Sequence, residues 1–157
     1  MPAEKLKRFL DENNIKYVSI KHSLAYTSQE IAAAAHIEGR RLAKTVVIKV
    51  DGKIALAVLP ASYKVDFDML KKELGTENVR LATEQEFKDK FPGCEVGAMP
   101  PFGNLYGVDT YVAACLVEEE DIAFNAGTHT ELIRMSYLDF ERLVNPKILR
   151  FGRKQRV

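Results

Sequence analysis

The sequence predicts a single α+β domain over residues 1–157, built on a mixed, strongly curved, barrel-like β-sheet flanked by helices. Three observations carry this. Helix and strand signals intermix along the chain, and no linker, repeat or low-complexity segment divides its 157 residues. At least one strand pair is antiparallel, because KTVVIKV and KIALAVLP flank Asp51-Gly52, the strongest hairpin dipeptide. Both of those runs are apolar at successive positions, so the hairpin is expected to be central and covered on both faces. A chain of this length suits one domain and can bury roughly 70% of its unfolded surface.

The elements follow in order. Leu6, Phe9 and Leu10 share one face of a first helix, which Asn13-Asn14 ends. Lys16 to Ile20 reads as a short strand, with Tyr17 and Ser19 opposite Val18 and Ile20. Thr27 and Glu30 form a capping box for the alanine-rich helix IAAAAHI, which Gly39 can close. The hairpin comes next. Asp66 caps a helix through Leu74, and Gly75 stops it. NVRLA is a short strand, and Thr83 with Glu86 caps a helix ending near Phe91-Pro92. LYGVDTYVAACLV is strand-like with a break at Gly107. DIAFNAG and THTELIRMS are two further strands joined by a glycine turn, and Ser136 with Asp139 caps a last helix that Pro146 ends. The basic stretch 147–157 is expected to form a partly loose tail.

Composition excludes several classes. Net charge is +1, so no global field advertises a polyanion and any anion site must be local. No apolar run approaches the ~20 residues that span a bilayer, and the N-terminus lacks the apolar core of a signal peptide. Cys94 and Cys115 stand alone, without metal-ligand spacing, which suits a reducing, cytosolic setting and inert thiols. His22, His36 and His129 form no HxxxH pair, and there is no G-x-S-x-G elbow; no metal and no cofactor is expected.

A few residues can carry chemistry. Lys44 sits at the mouth of the first hairpin strand, where rigid backbone holds it while the ammonium reaches outward. With Arg40 and Arg41 nearby in sequence it can hold a phosphate, the lysine as a point charge and arginine as a fork; a solvated strand end is the plainer alternative. Lys49 and Lys53 read as surface residues. His129, on the turn Asn125-Ala126-Gly127-Thr128-His129-Thr130, is placed either to face a ligand or simply to fill a turn. The stretch GAMPPFGN, Gly97 to Asn104, joins two glycines to two prolines with almost no charge. Gly97 lets a ligand approach the backbone, while Pro100 and Pro101 stiffen it. The amides that remain, at Gly97, Ala98, Met99, Phe102 and Gly103, can face an acyl oxygen. Met99 and Phe102 can exclude water. The alternative is a stiff connection between packed elements.

Taken together, these segments resemble the YbaK / prolyl-tRNA-synthetase-associated domain family, whose members remove wrongly attached amino acids from tRNA. The resemblance rests on LAKTVVIKVDGKIALAVLPAS (Leu42 to Ser62), on Gly97-Ala98-Met99-Pro100-Pro101 followed by Phe102-Gly103, and on FNAGTHTELIRMS (Phe124 to Ser136), in that order. It covers nearly the whole chain. It implies hydrolysis of the ester between a small amino acid, of the Cys, Ala or Ser class, and the terminal adenosine of tRNA. Lys44 would bind and orient the 3′-end phosphate. Gly97 and Ala98 would aim amides at the aminoacyl carbonyl. Met99, Pro101 and Phe102 would line the site, Gly127 and His129 would shape the amino-acid pocket, and Thr45, where some members carry Asn, would help choose the amino acid. A hydroxyl of the terminal ribose, or a water it positions, would assist attack. The implied partners are the aminoacyl-tRNA 3′ end and an aminoacyl-tRNA synthetase; no membrane is involved, and the setting is cytoplasmic. Two other readings stay open: a module that binds a tRNA end or a synthetase without hydrolysis, and a hydrolase of another small ester that uses no RNA.

Overall fold

In a computed structural model of the protein, residues 2–22 and 39–154 are described. The expected IAAAAHI helix, its Thr27 cap and His36 lie outside them. Helix α1 spans Pro2–Glu12, with Leu6 and Leu10 fully buried, and Asn14 turns the chain at φ 57°. Strand β1 is Tyr17–Lys21. After a 3-10 turn at Gly39–Arg41, the hairpin forms as the sequence predicts: β2 is Ala43–Val50 and β3 is Lys53–Pro60. Asp51 and Gly52 take φ 48° and 83°, the pair of positive values that matches a tight turn to the twist of its strands.

The remaining elements obey local chemistry. Strand β4 is Tyr63–Val65, and helix α2 is Phe67–Leu74. The Met69 amide donates to the Asp66 carboxylate at 3.0 Å, and Gly75 ends the helix at φ 68°. Strand β5 is Val79–Leu81. Helix α3 is only Glu84–Phe87, with the Thr83–Glu86 capping box complete. Strand β6 is confined to Asp109–Ala113, because Gly107 turns at φ 69° before it and a 3-10 turn, Ala114–Leu116, follows it. Strands β7, Asp121–Asn125, and β8, Glu131–Ser136, lead into helix α4, Tyr137–Val144, capped by Ser136.

The strands divide among three sheets, and among the described residues none closes on itself. Five strands run in the order β5-β2-β3-β6-β9, where β9 is Lys147–Leu149. The β3–β6 and β6–β9 pairs are parallel; β2–β3 and β2–β5 are antiparallel. A second, antiparallel sheet runs β1-β8-β7, and β4 pairs with β10, Gly152–Lys154. One parallel bridge, Leu42 to Ala123, ties the start of β2 to β7.

The central hairpin separates two layers of core, as expected of a strand pair covered on both faces. Side chains alternate across a strand. Leu56 and Val58, opposite Val47 and Thr45, therefore face the cores that hold Met99 and Phe102. Ala55, Ala57 and Leu59, opposite Ile48, Val46 and Lys44, face the core of Leu70, Tyr111 and Phe151.

The expected loose tail is corrected through Lys154. Phe151 is fully buried, β9 extends the large sheet and β10 pairs with β4. Charge in this segment conceals one aromatic anchor, and burying a side chain of that size contributes about 1.5–3 kcal/mol.

Candidate functional site

Two features of the expected site are brought together around Gly97. The Glu95 amide donates to the Gly127 carbonyl at 2.8 Å, and the Gly127 amide donates to the Ala98 carbonyl at 2.8 Å. The His129 amide donates to a Glu95 carboxylate oxygen at 2.9 Å. The His129 ring reaches the Val96 carbonyl through Nε2 at 2.7 Å; a carbonyl only accepts, so Nε2 carries the proton. The 95–98 turn and the 127–129 turn thus form one backbone clasp. Gly97, at φ 83°, sits exposed at its crown, and a Cβ there would lie 3.5 Å from His129 Cε1. The positive φ is why this position is glycine.

Not all the expected amides are available. Ala98 donates to Glu95 O at 3.0 Å, and Gly103 donates to Thr110 Oγ1 at 3.1 Å. Among the described residues the Gly97 amide meets no acceptor. The Ala98 amide, expected to face an acyl carbonyl, is engaged in a turn bond in this structure.

Phe102 and Met99, expected to line the site, lie in the apolar cores. Phe102 is fully buried, with ring centroids 5.4 Å from Phe140, 5.6 Å from Phe124 and 6.2 Å from Phe9. Met99 packs with Val47, Leu56, Phe87 and Phe91. Pro100 and Pro101 are buried between them. The segment lacks charge because it bridges two apolar cores; only its two ends, Gly97 and Asn104, are exposed.

Lys44 is the second residue of β2, half-buried. Burial pushes its ammonium below the usual lysine range, and nearby Lys64 lowers it further. No carboxylate pairs with it among the described residues. Strand alternation places it on the face opposite Thr45. Thr45, only 8% exposed, shares the Val47 face that packs toward the Gly97 segment. The Leu42–Ala123 parallel bridge joins the chain two residues before Lys44 to the chain two residues before Asn125, which leads into Ala126 and Gly127.

The arginines before Lys44 do other work than the sequence suggests. Arg41 binds Glu119 at 3.2 Å and Asp121 at 2.9 Å, and Arg40 binds Glu119 at 3.0 Å. These carboxylates tie the arginines to the β7 side of the molecule. Sequence reasoning missed Glu95, which holds His129, and Lys64, the cation beside Lys44. Neither has a local signal, because each meets its neighbour only through tertiary structure.

Comparisons with known proteins converge on one family. The model for the aminoacyl-tRNA editing domain matches residues 22–143. The multifunctional Ser/Thr-tRNA deacylase ProXp-y of Escherichia coli K12 is 32% identical over 129 residues, covering 77% of this chain and 77% of that protein. A proline–tRNA ligase of Bacillus cereus AH187 is 32% identical over 75 residues, 48% of this chain and 13% of the ligase. The crystal structure of a candidate trans-editing enzyme for prolyl-tRNA synthetase superposes with a TM-score of 0.81 at 19% identity, covering 99% of this chain and 98% of that one. At that identity the likeness concerns the fold.

Proposed function

The chain belongs to the aminoacyl-tRNA editing domain family, and from that premise we propose that it hydrolyses the ester between a small amino acid, of the Cys, Ala or Ser class, and the 3′-terminal adenosine of tRNA, acting in trans. The observation that carries this is Lys44: a half-buried cation with no carboxylate partner among the described residues, poised for an anionic ligand. Lys44 takes the phosphate of the terminal nucleotide. The Gly97 amide faces the acyl carbonyl. A terminal nucleotide carries its phosphate and its ester at opposite ends of the ribose, so the two contacts fall on the two faces of β2, around the strand's start.

The reaction needs no protein nucleophile in this reading. Water, aligned by a ribose hydroxyl, adds to the acyl carbon. The carbonyl oxygen becomes an oxyanion and takes the Gly97 amide hydrogen, a contact that strengthens as charge develops. The tetrahedral intermediate collapses, the bond from acyl carbon to ribose oxygen breaks, that oxygen takes a proton and the amino acid leaves. Buried Gly127 and the pinned His129 ring set the size limit of the pocket, and Thr45 offers a hydroxyl on the same side. The relative's activity on seryl- and threonyl-tRNA favours a small hydroxyl-bearing substrate. Kinship with a proline–tRNA ligase favours tRNA for proline, and docking on the synthetase that charges it.

The test is a deacylation panel: alanyl-, cysteinyl-, seryl- and threonyl-tRNA, with prolyl-tRNA as the correctly charged control. Release of one small amino acid by the wild type but not by Lys44→Ala supports the proposal. Equal release by both defeats the role of Lys44. Tight tRNA binding without turnover on any substrate favours a non-catalytic binding module.

A further inference from the structure

We propose that the β4–β10 ribbon is an RNA-backbone surface, and that Lys64 and Arg153 on its outer face bind tRNA phosphates beyond the one assigned to Lys44. The inference rests on the tRNA reading above and extends it to residues outside the matched motifs. Register carries it. Lys64 and Arg153 stand directly opposite each other in the antiparallel pair, so their side chains share one face. Both are exposed, while flanking Tyr63 and Val65 turn inward to the core that holds Phe151. Lys64 also lies close enough to Lys44 to depress its ionisation.

Like charges placed directly across a strand pair repel. Elsewhere the molecule resolves this internally. Lys49 and Arg80 are also cross-strand partners, and both bind Glu86, at 2.7 and 2.6 Å. No such carboxylate bridges Lys64 and Arg153 among the described residues. The nearby acid Glu73 accepts from the Arg150 backbone amide instead. A pair of cations on one face of a ribbon anchored by buried Phe151, with Lys44 close to Lys64, has the form of a track for successive phosphates. A net charge of +1 makes this concentration a local feature and not a reflection of overall basicity.

The experiment measures tRNA affinity and deacylation kinetics across a salt series. The proteins are the wild type, Lys64→Gln/Arg153→Gln, the charge-preserving Lys64→Arg/Arg153→Lys, and a distant control, Lys88→Gln/Lys90→Gln. Each phosphate contact contributes about 0.7–0.9 to the slope of log affinity against log salt, so the glutamine ribbon variant should lose about 1.4–1.8 of that slope. It should raise KM for intact aminoacyl-tRNA and leave turnover of aminoacyl-adenosine 5′-monophosphate, which keeps the phosphate assigned to Lys44 and lacks the preceding ones, unchanged. The charge-preserving variant and the distant control should keep the wild-type slope. An unchanged slope in the ribbon variant, or an equal loss in the distant control, overturns the inference. If the wild type hydrolyses aminoacyl-tRNA and the ribbon variant matches it throughout, this inference fails alone. If the wild type binds tRNA through the ribbon but hydrolyses nothing, the enzymatic reading fails and the surface stands.

Discussion

The two ends of β2 each carry a lysine, and they are treated in opposite ways. Lys49, at the far end, lies 2.7 Å from Glu86, which also holds Arg80 and accepts from the Thr83 amide at 2.9 Å. That carboxylate sits far below the usual range, held there chiefly by Arg80 and then by Lys49. Lys44, at the near end, has burial and another cation for company. A charge that the fold satisfies belongs to the fold. A charge that is partly buried with no counter-ion among the described residues disfavours the folded state, and is understood best as reserved for a ligand.

The sharpest way to break this contrast is to remove each cation. Lys44→Ala should reduce deacylation at least about 100-fold, the scale of losing a substrate-positioning contact, while Lys49→Ala stays within about twofold of wild type. Single-turnover rates on one charged tRNA decide it; comparable losses at both ends would erase the distinction. The next effect is on stability. Glu86→Gln should lower Tm at pH 7 by roughly 3 °C. The Glu86 carboxyl is depressed in the folded state, so its stabilisation is present above the unfolded value, about 4.3, and is lost as pH falls further. Melting curves of both proteins should therefore converge in acid.

The smallest effect has the opposite sign. Lys44→Met should raise Tm at pH 7 by about 1 °C, because it removes a half-buried ammonium that has no counter-ion among the described residues. Folded Lys44 ionises below its unfolded counterpart, so between those values the unfolded chain holds more protons and wild-type stability climbs with pH. The advantage of Lys44→Met should thus fade as pH approaches about 10.4. A melting series at pH 7, 9 and 10 measures it, and a gap that widened with pH would contradict the assignment.

What the sequence discloses follows from range. The Asp51-Gly52 turn, the caps at Asp66, Thr83 and Ser136, and the stop at Gly75 are decided by neighbours within four residues, and the structure has each of them. The parallel pairings of β3 with β6 and of β6 with β9 join segments far apart in sequence and leave no local pattern. The same limit applies at the site. Gly97 and His129 were legible as turn residues, yet their clasp depends on Glu95 and on carbonyls that any residue would supply. Arg40 and Arg41 looked like an anion site because their acids, Glu119 and Asp121, lie about eighty residues away.

Phe151 bears on how the chain tolerates shortening. The basic stretch invites trimming, but a cut after Pro146 would strip β9 from β6, take the ring from beside Leu70 and Tyr111, and leave β4 without β10. The product would show bare parallel-strand amides beside an unfilled apolar hollow, the combination that recruits other chains into aggregates. For this molecule the last strands are a seal, and solubility depends on keeping it shut.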